Sequence, residues 1–576
     1  MMERSQWRAL VGDWLWFLVC AGLSTWWCVS AAAELGATFD EPTDLNLGLE
    51  FWRTGSHYPL LKMGAMPLPM DLASLPAYLW ERSHGTHLDF QQGAPYTALF
   101  IARLALLPFW WLLLLYARLV GRSLAGPWAG RLAVALLAAE PTVLAHAALA
   151  TKDMAISACM LAFVYHFRAG RTGPWRSRIG WPAFWYAAAL LSKASAIVFA
   201  PLCMLAIEIE RLARAGALTL PPAEASGQPR WRLWLALLWQ QLLPLRRDAV
   251  RALGLGTIVV FVYCGSDFQP QASCLRWAHS LPEGSFASAM VWTFEHLRLF
   301  SNAGEGICRQ ISHNIRGHGA YLLGRADSVA LWYYFPVALT IKLSPLLLFL
   351  PLALALVRPR VLGNWACVAA GTLLLYSFQC RVQIGVRLML PLVAIGVAGL
   401  AAAYVTAWRE LGPSLKKGLM TAGLVVGLGW SAASAVSVWP HGLCYVNELY
   451  GGTREGYRCV SDSNYDWGQG LKDLARWQQH QGLGRIDVWY FGTDPAITTM
   501  PVRRMYFQEL ALQTPHAVES ALRGRRLAVS FTLVYGSFPE LTPICDYLRR
   551  CVPVDRTPTF LIYDFTHPPA ALAQAE

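Results

Sequence analysis

The chain has 576 residues, 55% of them hydrophobic and only 15% charged, against about 25% charged in an ordinary soluble protein. Its apolar residues fall in consecutive runs near the roughly 20 residues that carry a helix across a bilayer, which excludes a soluble globular protein. The net charge is +12, but the Arg and Lys residues gather in short loops between apolar runs; that is a pattern of membrane orientation and excludes nucleic acid as a partner.

The first apolar run, Trp14 to Ala33, follows Arg4 and Arg8. It is longer than a signal-peptide core and shows no strong cleavage site, so it reads as a membrane anchor. Further runs lie near 97–119, 132–148, 153–169, 181–192, 195–209, 250–264, 333–357, 365–380, 388–408 and 419–439, giving about eleven spans. Arg122 and Arg131, Arg168 to Arg178, Arg211 to Arg251, Arg358 and Arg360, and Arg409 to Lys417 then all fall on the side of the N-terminus. The positive-inside rule puts that side in the cytoplasm. Trp231 to Leu245 is short, contains Pro244 and is flanked by arginines, so it is expected to lie as an amphipathic helix on the cytoplasmic surface.

Three pieces face outward under this order: 34–96, 266–332 and the tail from Pro440. In the tail, Ile486 to Gly492, Leu527 to Gly536 and Phe560 to Phe565 read as strands, and Leu471 to Gln479 as a helix. These predict a small α/β domain. Cys20, Cys28, Cys159, Cys203 and Cys367 fall in apolar spans as small buried hydrophobes. Cys444, Cys459, Cys545 and Cys551 fall in the tail, where disulfides are permitted; Cys545 and Cys551 are nearest in sequence, but the spacing does not choose a connectivity. No cysteine spacing suits zinc.

Directly beyond the first span comes ATFDEPTDLNLGLEFWRTG, with Asp40 and Glu41 close to the bilayer surface. Pro42 favours a helix start, and Leu45, Leu49 and Trp52 recur at helical spacing. Position alone leaves two readings: a solvated acidic helix N-terminus, or a functional carboxylate at the membrane face.

The acidic pair, the PT after it, the Gly-Leu-Glu and the RTG turn resemble bacterial relatives of protein O-mannosyltransferases. ALATKDMAI (Ala148 to Ile156), LLSKASAIVFAP (Leu190 to Pro201), Gly317 to Pro345, QIGVRLMLP (Gln383 to Pro391), YVNELYGG (Tyr445 to Gly452) and DSNYDWGQGLKDLARW (Asp462 to Trp477) follow in the same order. These relatives are lipid-carrier-dependent glycosyltransferases of GT-C architecture, a superfamily that includes aminoarabinose transferases. The resemblance implies a multi-pass α-helical membrane protein. Residues 1–439 would form its GT-C transmembrane catalytic domain, with 440–576 as a small soluble extracytoplasmic α/β domain. It implies Asp40 as catalytic base with Glu41 beside it. Two departures stand out: the His-Pro-Pro of relatives is replaced by MPLPMDL (Met66 to Leu72), with His57 and Asp71 nearby but out of register, and Lys152 stands where many relatives are uncharged.

A polyprenyl-phosphate sugar carries its own leaving group. Transfer then needs a base for the acceptor proton and cations for the developing phosphate charge. Lys193, Arg387 and Lys342 are the candidate cations, each with an interfacial anchor or snorkelling as the plainer account. Asp153 is a candidate for binding a sugar hydroxyl or orienting a cation, or else a helix cap, and His318 is a candidate substrate contact. Trp332, Tyr333 and Tyr334 read as an aromatic belt. Asp462, Asn464, Asp466 and Asp473 are spaced like a calcium loop, but Trp467 occupies the glycine position. No cofactor is required, and a divalent cation is optional. The expected partners are the bilayer, a polyprenyl-phosphate sugar and an acceptor that is a protein, lipid or glycan. The expected location is a bacterial inner membrane. The competing classes are a transporter of lipid-linked sugar and a non-catalytic scaffold.

Overall fold

The computed structural model describes residues 4–217, 230–299, 301–509 and 514–566. Every apolar run expected as a span is helical. Leu10–Glu34, Tyr96–Ala125, Val386–Glu410 and Leu415–Ser437 are each long and apolar enough to cross a membrane, and two bent pairs raise that number to six among the described residues. The remaining runs form shorter helices packed among them, including Asp153–Gly170, Trp181–Ser192, Ala196–Arg214 and Trp365–Ser377.

The bent pairs have a local cause. Pro127–Ala138 and Pro141–Ala147 meet at 72°, and Tyr334–Lys342 and Pro345–Val357 meet at 110°. A proline at the start of each second helix lacks the N–H that would continue the first. The freed polar groups find one another across the molecule. The Ser344 amide and hydroxyl donate to Glu140 at 3.2 and 2.6 Å, and Thr142 donates to the Lys342 carbonyl. Broken helices survive in a bilayer only where such groups are satisfied inside protein.

On the N-terminal face, buried Asp13 of the first helix takes Arg118, Arg122 and Arg131, and Arg171 joins Glu208 to Asp248. The amphipathic segment forms the helix Arg230–Gln241, with Trp231 and Trp239 exposed, and Leu243–Cys264 follows it. Within residues 34–96, Glu41–Thr54 crosses Leu68–His84 closely at Gly48, where a Cβ would lie 2.7 Å from the Met70 carbonyl oxygen. The segment 266–332 carries a disulfide, Cys274–Cys308, which the sequence reading did not single out. All four tail cysteines are free thiols. Cys545 and Cys551 are therefore not bridged; the Cys545 thiol instead turns inward, 3.1 Å from the Leu533 carbonyl.

Two strands of the segment 266–332, β1 (Ala320–Leu322) and β2 (Arg325–Asp327), form an antiparallel hairpin. It docks on the tail, where the Leu323 amide donates to Cys459 at 2.8 Å. The tail holds a five-stranded sheet of β3 (Ile486–Trp489), β4 (Val502–Arg504), β5 (Arg526–Ser530), β6 (Asp555–Arg556) and β7 (Phe560–Asp564), in the order β4-β3-β5-β7-β6. β4, β3 and β5 are mutually parallel; β7 is antiparallel to both β5 and β6. The expected helix is present as Leu471–His480. The expected strand Leu527 to Gly536 stops at Ser530, and Phe531–Val534 is helical. Thr532 causes the change: its amide and hydroxyl turn in to bond Asp466 at 3.2 and 2.6 Å.

Candidate active site

The segment that links the first span to the next helix is laid out against the tail. The amides of Gly36 and Phe39 donate to the carbonyls of Gln469 and Trp467 at 2.9 and 2.8 Å. The Ala37 amide donates to Asp494 at 2.9 Å, and Phe39 stacks on Phe491 with ring centres 5.1 Å apart. Held at both edges, this segment delivers Asp40 to the N-cap of Glu41–Thr54. The Asp40 side chain makes no cap bond and retains 35% exposure.

Four of the expected residues converge there. The Arg387 Nη1 group donates to Asp40 at 3.1 Å and lies 3.6 Å from Asp153 Oδ2. Lys193 forms an ion pair with Asp153 Oδ1. Asp153 is buried at the start of its helix, while Lys193 sits at the break between Trp181–Ser192 and Ala196–Arg214, in extended backbone. Asp153 Oδ2 and Arg387 Nε are both buried, and neither has a hydrogen-bond partner among the described residues. Arg387 therefore holds an unused donor next to its pair with Asp40.

The adjacent acid behaves oppositely. Glu41 is wholly buried and takes Arg103 in two parallel bonds at 2.8 and 2.7 Å, with the amides of Thr38 and Ala150 at 2.9 and 2.8 Å. Burial pushes its carboxyl up, but the Arg103 charge and these bonds outweigh it and hold the group below its ordinary value. Every oxygen of Glu41 is committed to structure. Lys342 is also buried and aims away from the cluster, donating to the carbonyls of Leu443, Asn464 and Tyr445, the first two at 2.8 and 2.6 Å. It fastens the tail to the helices.

His318 is exposed beside His313, with ring nitrogens 3.0 Å apart. Desolvation and the Arg387 charge hold it below its ordinary value, against the opposing charge of Asp40, so it faces the same cluster from the segment 266–332. Trp332 is exposed and stacks on Phe378. Tyr334 is buried and accepts from Asn464 at 2.9 Å.

The calcium-like spacing does not become a cation cage. Asn464 is spent on the Val386 amide and Tyr334, Asp466 on Gly468 and Thr532, and Asp473 on His441. Among the described residues, no group of three or more His, Cys, Asp or Glu side chains is arranged to hold a metal ion.

Sequence reasoning left four contributors out of the site: Lys152, Asp44, Trp467 and Asp462. Lys152, noted only as a departure, pairs with Asp44 one turn beyond Asp40. Burial pulls the Lys152 ammonium down, but Asp44 and then Asp40 outweigh it and hold it charged. The helical spacing of Asp40 and Asp44 was a signal for this. Trp467 lies under the guanidinium of Arg387, 3.9 Å from ring centre to guanidinium carbon. Asp462 faces Arg387 and Asp40 from the tail. The assembled site opposes Lys152, Lys193 and Arg387 to Asp40, Asp44 and Asp153 just beyond the C-terminal end of the first helix. Beside it, a cavity of about 180 Å³ opens between Pro42, Phe90, Tyr96, Asp494 and Thr499.

No protein-family model matches the chain, and no curated protein matches it. It is similar to solved structures. ArnT from Cupriavidus metallidurans bound to undecaprenyl phosphate is 14% identical, with a TM-score of 0.43, over 97% of this chain and 98% of that one. The same protein in the apo state is 13% identical, with a TM-score of 0.44, over 96% and 98%. The archaeal oligosaccharyltransferase AglB from Archaeoglobus fulgidus, in complex with an inhibitory peptide and a dolichol-phosphate, is 11% identical, with a TM-score of 0.47, over 99% of this chain and 75% of that one.

Proposed function

We propose that the chain is an inverting glycosyltransferase of the GT-C kind, moving a sugar from a polyprenyl-phosphate donor to an acceptor on the extracytoplasmic side of a bacterial inner membrane. The observation that carries this reading is the convergence of Asp40, Asp153, Lys193 and Arg387 at the outward end of the first span. The sequence resemblance implies Asp40 as the base, and the chemistry of a departing phosphate singles out Lys193 and Arg387 as cations.

In this mechanism the partly exposed carboxylate of Asp40 takes the proton of the acceptor's nucleophile. The nucleophile forms its bond to the anomeric carbon from the face opposite the phosphate, and the bond from that carbon to the phosphate oxygen breaks. The departing electron pair becomes phosphate charge. The free Nε–H of Arg387 and the ammonium of Lys193 are placed to hold that charge, because a planar guanidinium grips phosphate at two points. Asp153 would keep both cations in place while donor is absent. A cationic cluster with one available base suffices for this chemistry, so the reading requires no metal. The Cys274–Cys308 disulfide supports an outward, oxidising location for the second loop.

The test is donor turnover by purified protein in detergent micelles, where transport has no meaning. Radiolabelled polyprenyl-phosphate sugars are supplied with an acceptor-bearing membrane extract. Wild type is expected to transfer label, and Asp40→Asn to lose about 10²- to 10⁴-fold in rate while keeping its melting temperature. An Asn variant transferring at the wild-type rate would overturn the assignment of the base.

A further inference from the structure

We propose that Trp467 of the tail is the positioning residue of the phosphate clamp, so that the C-terminal domain forms part of the active site. The proposal rests on the donor reading above.

Trp467 touches both halves of the central pair. Its ring is 2% exposed and backs the Arg387 guanidinium at 3.9 Å, while its carbonyl accepts the Phe39 amide at 2.8 Å, one residue before Asp40. One residue thus fixes a face of the cation and the backbone that carries the base. The turn leading to it holds the backbone just before Arg387. Asn464 Oδ1 accepts the Val386 amide at 2.9 Å, and the Ser463 hydroxyl donates to the Ile384 carbonyl. Gly385, at φ +145°, leaves room for that hydroxyl, where a Cβ would collide with it. The buried ammonium of Lys342 then ties the Asn464 carbonyl to the helices at 2.6 Å.

A plainer account exists: Trp467 packs with Leu35, Ala145, Leu149 and Leu443 as an apolar plug. The two accounts differ in what the ring must supply. A plug needs volume. A guanidinium held flat, with Nε and its second amino group turned toward an anion, needs a π face beneath it. Phe retains that face and Leu does not, although both fill apolar space.

The experiment measures binding of undecaprenyl phosphate to the full-length protein in micelles, alongside thermal melting. Trp467→Leu is expected to weaken binding about ten-fold, and Trp467→Phe to recover most of the loss, while both melt at similar temperatures. In an Arg387→Ala background, Trp467→Leu should change binding less than two-fold, because the cation it positions is gone. Asn464→Ser, which loosens the Val386 support without touching the ring, should weaken binding several-fold and keeps the test open if Trp467→Leu does not fold. Equal losses in the Phe and Leu variants, or wild-type binding in Trp467→Leu and Asn464→Ser, would overturn the positioning role and leave the donor reading standing. Failure of the wild-type protein to bind undecaprenyl phosphate would overturn both.

Discussion

Asp40 and Glu41 are chemically alike and adjacent, yet one is partly exposed and the other is locked inside. The difference is one step of helix phase: residue 41 turns toward Arg103, and residue 40 stays at the open cap. The two should therefore respond differently to loss of charge. Arg103→Met leaves Glu41 as an uncompensated buried carboxylate and is expected to cost about 3–5 kcal/mol, read as a large fall in melting temperature or loss of folded protein. Asp40→Asn should shift melting by no more than about 0.5 kcal/mol. The sequence places both acids at the membrane face but cannot say which is free, because Arg103 reaches Glu41 from a distant helix. The same limit applies to Lys342. Its position two turns inside an apolar helix marks it as needing a partner, but the three carbonyls that satisfy it lie in the tail.

At the scale of elements, the apolar runs were legible because a bilayer demands length and composition. The bends were only half legible. Pro141 and Pro345 mark where each helix restarts, yet nothing local states that the two breaks face each other through Glu140, Ser344, Thr142 and the Lys342 backbone. Lys342→Met would strip three buried carbonyls of their donor at this junction. It is expected to cost about 3–5 kcal/mol and to expose the tail to limited proteolysis before the helices unfold. An undisturbed proteolysis pattern would remove Lys342 as the fastener. The strand Leu527 to Gly536 was over-extended for a similar reason, since its apolar pattern continues while Thr532 is recruited by Asp466. The Cys274–Cys308 pairing was invisible because sequence spacing fixes no connectivity.

For the molecule as a whole, the tail and the helices share one site, and its acids carry a pH signature. Burial pushes Asp466 up to about 7, against the amides of Gly468 and Thr532, and pushes Asp462 up to about 6, against the Arg387 charge. These folded-state values exceed the roughly 3.9 of an unfolded Asp. Between those limits the folded chain binds more protons than the unfolded one, so the contribution of both groups to stability falls as pH rises from about 4 to 7 and then levels. Comparing wild type with Asp466→Asn should isolate this effect: the melting-temperature difference moves in the variant's favour across that window and stays constant above it. A difference independent of pH would mean that Asp466 is ionised throughout. The site as a whole was legible in part. Asp40, Asp153, Lys193 and Arg387 lie together, Glu41 and Lys342 turn elsewhere, and Lys152, Asp44, Trp467 and Asp462 join the first four through the fold.

The backing of Arg387 by Trp467 also bears on how the protein comes into being. The guanidinium is synthesised well before the ring that backs it, and in the orientation proposed above the ring belongs to a tail that crosses the bilayer and folds on the far side. A nascent chain can therefore insert its helices, including the carboxylate and both lysines, while its grip on an anion is still slack. Competence would arrive late in translation, when the last portion of the polypeptide closes over what the first portion had left waiting.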